Sequence, residues 1–327
     1  MKLATIATND GGSGTAGRVA VAASADEFLD LAAASHALAG VNILPATMKQ
    51  LLAGGAALHD EVRAALDELA GLSVDAREDL HRRGVLRRVG EVAFLPPVPD
   101  PSMILSVGLN YRRHLAEMKG TPVPVNPSAF LKTPSSLTGS GSPIVIPPQC
   151  PDMVDYEAEL CFVFGRTCHN VSADEAMDYV AGYTIANDVS ARDWIAEVFA
   201  AEGAFPAAQA WERNIMGKNL PTFTPCGPVI VTADEIADPH DLDLSLTLNG
   251  ETMQATKTDD LIFGLPEIIA YFSRWYRFQP GDIVTTGTPS GVGFGRDPKV
   301  FLKPGDVVEV TVSGIGTLSN PVVAGAA

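Results

Sequence analysis

Three acidic residues fall on one short run, Val154-Asp155-Tyr156-Glu157-Ala158-Glu159-Leu160-Cys161-Phe162. On a strand, side chains alternate between faces, so Asp155, Glu157 and Glu159 share one face and Tyr156, Ala158, Leu160 and Phe162 turn toward a core. Carboxylates two residues apart stand roughly 7 Å from each other at Cα, close enough for their oxygens to converge on one hard cation. Taken alone, the same pattern describes a solvated acidic face. Asp188 ends a second apolar run, Ile185-Ala186-Asn187-Asp188, beside a turn-forming Asn, where an isolated carboxylate reads equally well as a cap.

Two further clusters carry chemistry. In Val107-Gly108-Leu109-Asn110-Tyr111-Arg112-Arg113-His114-Leu115-Ala116-Glu117-Met118, a helical turn over 112–118 puts His114 and Glu117 on one face. A carboxylate that orients an imidazole is the arrangement of a general base, although such pairs also decorate ordinary helix surfaces. Gly287-Thr288-Pro289-Ser290-Gly291-Val292-Gly293 follows Asp282-Ile283-Val284-Thr285-Thr286. Glycines at this density let a backbone approach a ligand and aim N–H groups at an anion, and in isolation they also make plain turns.

The elements that must position these groups fall into two textures. Up to about residue 95 the chain is rich in Ala and Leu, with helical spacing over 25–36 and 57–70 and a helix start at Pro45. His36 and His59 lie here and read as surface or packing residues. Pro96-Pro97-Val98-Pro99-Asp100-Pro101 breaks the pattern and predicts a boundary, giving an N-terminal domain at 1–98 and a catalytic domain at 99–327. Beyond it, β-type runs are expected at 103–108, 143–147, 154–164, 180–188, 227–232, 243–249, 281–286 and 306–312, with one helix near 260–277. Pro280-Gly281-Asp282 and Pro304-Gly305-Asp306 each supply a tight turn into a strand. The expected class is α+β, mainly β, and largely antiparallel, a barrel or roll.

Composition sets limits on function. Hydrophobic residues make up 46% of the 327 and charged residues 19%, so a sizeable core is available. The net charge of −16, with no basic cluster, argues against nucleic acid, whose binding needs a basic footprint. No apolar run reaches the roughly 18 residues of a membrane helix, and Met1-Lys2-Leu3-Ala4-Thr5-Ile6 reads as a first strand, not a secretory signal. Cys150, Cys161, Cys168 and Cys226 show no metal-binding spacing and read as reduced thiols of a cytoplasmic protein.

In this order the motifs resemble the fumarylacetoacetate hydrolase family over about 101–321: Gly-Leu-Asn-Tyr-Arg-Arg-His-Leu-Ala-Glu at 108–117, Asp-Tyr-Glu-Ala-Glu-Leu at 155–160, Asn-Asp-Val-Ser-Ala-Arg-Asp at 187–193, Gly-Lys at 217–218 and Pro-Gly-Asp-Ile-Val-Thr-Thr-Gly-Thr-Pro-Ser-Gly-Val-Gly at 280–293. The resemblance implies a mixed β-sandwich roll behind a smaller α/β N-terminal domain, usually dimeric. It implies that Glu157, Glu159 and Asp188 hold Mg²⁺, Mn²⁺ or Ca²⁺, oxygen ligands suiting hard cations. His114 and Glu117 would activate water, Lys218 would neutralise charge developing on the substrate, and Arg192 would stand beside the third ligand. Thr288 would hold the substrate carboxylate, with Tyr111 and Gly287 also on the substrate. The chain departs from the family where Ile195 replaces a common glutamine, for which Gln209 is a candidate substitute, and where Asn219-Leu220-Pro221 follows Lys218.

The implied reaction is hydrolysis of a carbon–carbon bond in a small-molecule 2-oxo or 1,3-diketo acid, such as an acylpyruvate. Oxaloacetate-type decarboxylation and dienoate isomerisation or hydration need the same electron sink and stay open beside it. The contrasting class is a catalytically silent, metal-stabilised dimer module, which would need the ligands alone and not His114, Glu117, Lys218 and Thr288.

Overall fold

The computed structural model describes residues 1–8, 17–38, 44–118 and 121–326. Within them the chain is a mixed α+β protein, mainly β. The main sheet has twelve strands and runs from Leu86–Arg88 through Glu27–Asp30, Arg18–Ala22, Lys2–Thr8, Thr224–Thr232, Val180–Asn187, Ala158–Phe164, Ile283–Thr285 and Ile104–Gly108 to Ser128–Lys132, with Val92–Phe94 and Leu137–Thr138 off this path. A second sheet of five strands runs Glu251–Lys257, Asp243–Leu248, Val307–Val312, Gly316–Ala324 and Ile144–Ile146. Pairing is antiparallel except where Ile283–Thr285 meets Ile104–Gly108, Thr224–Thr232 meets Leu137–Thr138, and Gly316–Ala324 meets Ile144–Ile146.

The central strand Ala158–Phe164 shows why its sequence is almost wholly apolar. Ala158, Leu160, Phe162 and Phe164 enter one core cluster together with Tyr156, while Cys161 and Val163 enter a second. Both faces are covered, so the strand needs apolar residues at nearly every position. The core face expected from the alternation is the one observed.

Several expected elements differ in extent or type. The span 25–36 is not one helix: Glu27–Asp30 is a strand paired with Arg18–Ala22 and Leu86–Arg88, and Leu31–Ala37 is helical. Asp30 closes the strand and its carboxylate caps the helix, accepting from the Ala33 amide at 3.0 Å. Pro45 does not itself begin a helix, since Thr47 caps Met48–Ala53. The helix expected over 260–277 shrinks to Leu265–Phe272, preceded by a 3₁₀ turn at Thr258–Asp260. The strands Ser128–Lys132, Glu251–Lys257 and Gly316–Ala324 and the helices Ile195–Ala200 and Ala204–Met216 had no counterpart in the sequence reading.

The proline-rich stretch at 96–101 does not divide the main sheet. Lys2–Thr8 pairs with Thr224–Thr232, Lys2 opposite Val231 and Leu3 opposite Ile230. The stretch itself is packed down, with Val98 buried and the Pro97 carbonyl accepting from the Thr5 hydroxyl at 2.6 Å.

Candidate active site

The acidic run sits where two paired strands break together. Val154–Asp155 pairs with Ser190–Ala191 and Ala158–Phe164 pairs with Val180–Asn187, leaving Tyr156-Glu157 and Asp188-Val189 between the two ladders. Side chains and crossing backbone bonds bridge the gap. The Glu157 amide donates to Asn187 Oδ1 at 2.9 Å, and the Asp188 amide donates to the Glu157 carbonyl at 2.8 Å. This irregular join brings one oxygen each of Glu157, Glu159 and Asp188 within 4.8 Å of one another. Asp155, expected on the same face, turns away, accepting from the Gly293 and Phe294 amides at 2.7 and 3.1 Å and from Arg192 Nε at 3.0 Å.

Four buried carboxylates here face three buried cations, Lys132, Arg192 and Lys218. Lys218 Nζ donates to Glu157 at 2.6 Å and to Asp188 at 2.7 Å. Arg192 also bonds Glu157, and Lys132 bonds Asp188. The two glutamates respond in opposite ways. Burial works to raise the Glu157 carboxyl, but Lys218 and Arg192 outweigh it and hold the group well below the usual carboxylate range. Glu159 has no such cation: burial first, then Asp188 and Glu157, push it well above the usual range. Its one bond from the backbone here is the Gly287 amide, at 3.0 Å. A site of three converging oxygens, one of them disfavoured as an anion by its neighbours' charge, fits a hard divalent cation, which would remove that repulsion.

His114 and Glu117 sit on the short helix Arg112–Glu117. His114 Nδ1 lies 3.3 Å from Glu117 Oε2, and the Glu117 carboxylate also accepts from the Gly291 amide. The helix follows Asn110, whose side chain bonds the Phe263 and Thr286 carbonyls and the Phe263 amide. Before it, Leu109 is held in the left-handed region, φ 56°, a conformation that a leucine adopts only where its surroundings enforce it.

A cavity of about 610 Å³ joins these parts, and His114, Glu117, Glu157, Glu159, Asp188, Arg192, Lys218 and Thr288 all line it. Thr288 is oriented by Gln254, whose amide donates to its hydroxyl at 2.9 Å while Gln254 Oε1 accepts from the Ala158 amide. Two expected substrate contacts are not among the lining residues. Tyr111 is fully buried in the core, and burial pushes its phenol far above the ordinary range. Gly287 spends its amide on Glu159. Ile195 lines the cavity, but Gln209 is exposed and does not. The amide side chain that the same segment contributes is that of Asn214, which is buried.

Lys132 escaped the sequence reading. It lies on Ser128–Lys132, inside Ser-Ala-Phe-Leu-Lys, and its ammonium is buried against Asp188 and the Phe223 carbonyl. A lysine ending an apolar run was the available signal.

The chain is similar to known proteins along most of its length. It is 40% identical over 280 residues to oxaloacetate tautomerase FAHD2A, mitochondrial, from Homo sapiens, which covers 86% of this chain and 81% of that protein. Maleylpyruvate hydrolase from Sphingobium sp. SYK-6, solved in complex with manganese(II) and pyruvate, superposes with a TM-score of 0.74 at 28% identity over all of both chains. The 5-carboxymethyl-2-hydroxymuconate delta-isomerase from Mycobacterium smegmatis gives a TM-score of 0.69 at 29% identity, again over all of both chains. The model of the fumarylacetoacetate (FAA) hydrolase C-terminal domain matches residues 103–323. With that match over two-thirds of its length, the chain belongs to the fumarylacetoacetate hydrolase family.

Proposed function

We propose that the chain is a divalent-cation-dependent hydrolase that cleaves a carbon–carbon bond of a 2-oxo or 1,3-diketo acid. The observation that carries this reading is that one cavity is lined by His114 and Glu117 together with the three carboxylates and Lys218. Glu157, Glu159 and Asp188 would hold Mg²⁺, Mn²⁺ or Ca²⁺, and the manganese-bound relative supports a divalent ion of this kind. When bound, the cation supplies a Lewis acid that polarises the oxygens of the acid.

The chain's own residues account for the remaining steps. With Nδ1–H directed to Glu117, the imidazole of His114 keeps its lone pair on Nε2 and takes a proton from water. The resulting hydroxide adds to the carbonyl farther from the carboxylate. The bond between that carbon and its neighbour breaks, and the electron pair stays with the 2-oxo acid fragment, whose negative charge Lys218 offsets. Imidazolium then returns the proton to the fragment's carbon. Thr288, fixed by Gln254, would bind the substrate carboxylate.

The second reading is enol–keto tautomerisation of oxaloacetate, favoured by the human relative's name. It needs His114 to carry a proton between the enol oxygen and the adjacent carbon of the substrate, and no attacking water. Purified protein with Mg²⁺ or Mn²⁺ is to be tested on acylpyruvates and on oxaloacetate. Loss of the diketone absorbance with release of two acids supports the hydrolase. Interconversion of enol and keto oxaloacetate without cleavage of any diketo acid replaces it with the second reading.

We also place the protein in the cytoplasm as a homodimer. Four buried, unpaired cysteines support a reducing compartment.

A further inference from the structure

The cavity lining combines two chemically different groups of side chains. One is the carboxylates, Lys218, Arg192 and His114, with the Phe130 ring under the Lys218 ammonium at 5.2 Å. The other is apolar: Leu109, Ile195, Val198, Phe199 and Trp211. Phe199 is 73% exposed and Trp211 46% exposed, so large apolar surface stands at the cavity's edge in contact with solvent. Ile195, Val198 and Phe199 come from the helix Ile195–Ala200 and Trp211 from Ala204–Met216, two helices in contact with each other.

The charge balance points the same way. Among the described residues that line the cavity, the side chains able to carry positive charge are His114, Arg192 and Lys218. Arg192 is already bonded to Asp155 and Glu157, and Lys218 to Glu157 and Asp188. A second carboxylate at the far end of a substrate would therefore find no free cation among these lining residues and would leave the exposed apolar side chains uncovered.

We infer that the site selects a 2-oxo acid whose far end is a bulky apolar group, an aryl ring or a branched alkyl chain, and disfavours compact dicarboxylates. This rests on the hydrolase reading for the head of the substrate and adds the class of its tail. The acid group binds toward the carboxylate cluster and Thr288, and the tail covers Ile195, Phe199 and Trp211. Each aromatic face gains by losing contact with water.

The test uses full-length protein with Mn²⁺ and a series of 2,4-dioxo acids whose acyl group grows from methyl through branched butyl to phenyl, with oxaloacetate alongside. Turnover is followed by absorbance and binding by calorimetry. The phenyl member is expected to exceed the methyl member by roughly tenfold or more in kcat/KM, and oxaloacetate to fall below both. Phe199→Ala and Trp211→Ala, both at exposed positions, should bring the phenyl-to-methyl ratio toward one, chiefly through KM. Turnover with a flat or inverted series, or with oxaloacetate preferred, overturns the inference and leaves the enzyme reading standing. Binding that strengthens with tail size without any turnover supports the inference and removes the hydrolase. Absence of both binding and turnover overturns the two together.

Discussion

The backbone N–H of Gly291 donates to both carboxylate oxygens of Glu117, at 3.0 and 3.2 Å. The glycine-rich loop therefore holds the carboxylate that lies against His114, although 174 positions separate Gly291 from Glu117. Gly291 has φ 101°, and a Cβ there would meet the Met253 carbonyl oxygen at 2.2 Å, so no other residue fits without moving the loop. Gly291→Ala is expected to reduce kcat by roughly tenfold or more through misplaced proton transfer. Cation affinity, measured by calorimetry, should stay within a few-fold of wild type. Unchanged kcat in a folded variant would separate the loop from the dyad.

His114→Ala should lower hydrolysis of the best diketo acid by about 10²–10⁴-fold, the usual contribution of a positioned base. Cation binding should persist, because His114 is not one of the three converging groups. Glu117→Gln should cost less and change the shape of the pH–rate profile, since it acts through the imidazole. Wild-type hydrolysis by His114→Ala would refute the assignment of the base.

Glu157→Gln keeps the shape of the side chain and removes its charge. It leaves Arg192 and Lys218 with one anionic partner fewer in a buried site, a change that costs about 3–5 kcal/mol when one member of a buried pair is lost. Divalent affinity should drop markedly, with a lower melting temperature in the cation-free protein. Chelation of the wild type should abolish activity, and Mg²⁺ or Mn²⁺ should restore it. Full activity after exhaustive EDTA dialysis, with no metal detected by mass spectrometry, would contradict the cation's role.

Much of this site was legible because its groups come from short runs of fixed spacing. The alternation around Glu157 and Glu159 marked the core face correctly, since a strand buried on both sides leaves polar residues only where they are used. The same alternation misplaced Asp155, because the ladder breaks at Tyr156-Glu157 and the register of side chains breaks with it. Tyr111 and Gly287 belong to informative motifs, yet motif membership does not say which way a side chain points: Tyr111 packs inward, and Gly287 has only its backbone to offer. Glu27–Asp30 was hidden by the Ala-rich helical texture that follows it, and only its pairing with Arg18–Ala22 and Leu86–Arg88 makes it a strand. Lys132 stood alone in an apolar run, its partner Asp188 set opposite it only by the folded sheet.

Away from the cavity, Glu27 bonds His81 at 2.8 Å and Arg77 at 2.5 Å. Burial works to raise its carboxyl, but His81 and Arg77 together hold it below the usual 4.5. A depressed acid contributes stability that is present above the unfolded-state value and lost as the pH falls through the folded one. Glu27→Gln should thus cost about 1 kcal/mol or less at pH 7, where the pair is partly solvated. The difference from wild type should begin to shrink as the pH falls to the unfolded-state value of about 4.3 and vanish only below the lower folded-state one in denaturant titrations. A gap that widens on acidification would reverse the assignment.

Light scattering at micromolar concentration should give the mass of two chains of 34.4 kDa. A monomeric mass there would count against the proposed homodimer.

The pairing of Lys2–Thr8 with Thr224–Thr232 also bears on the order of folding. Lys2–Thr8, with Leu3 and Ile6 destined for full burial, is made well before the strand that flanks it. That seam closes only once Thr224–Thr232 exists, and contacts so distant along the chain form slowly. A fragment cut at residue 99 would expose the backbone edge of Thr224–Thr232 at Ile230 and Val231, a ready template for joining one molecule to the next.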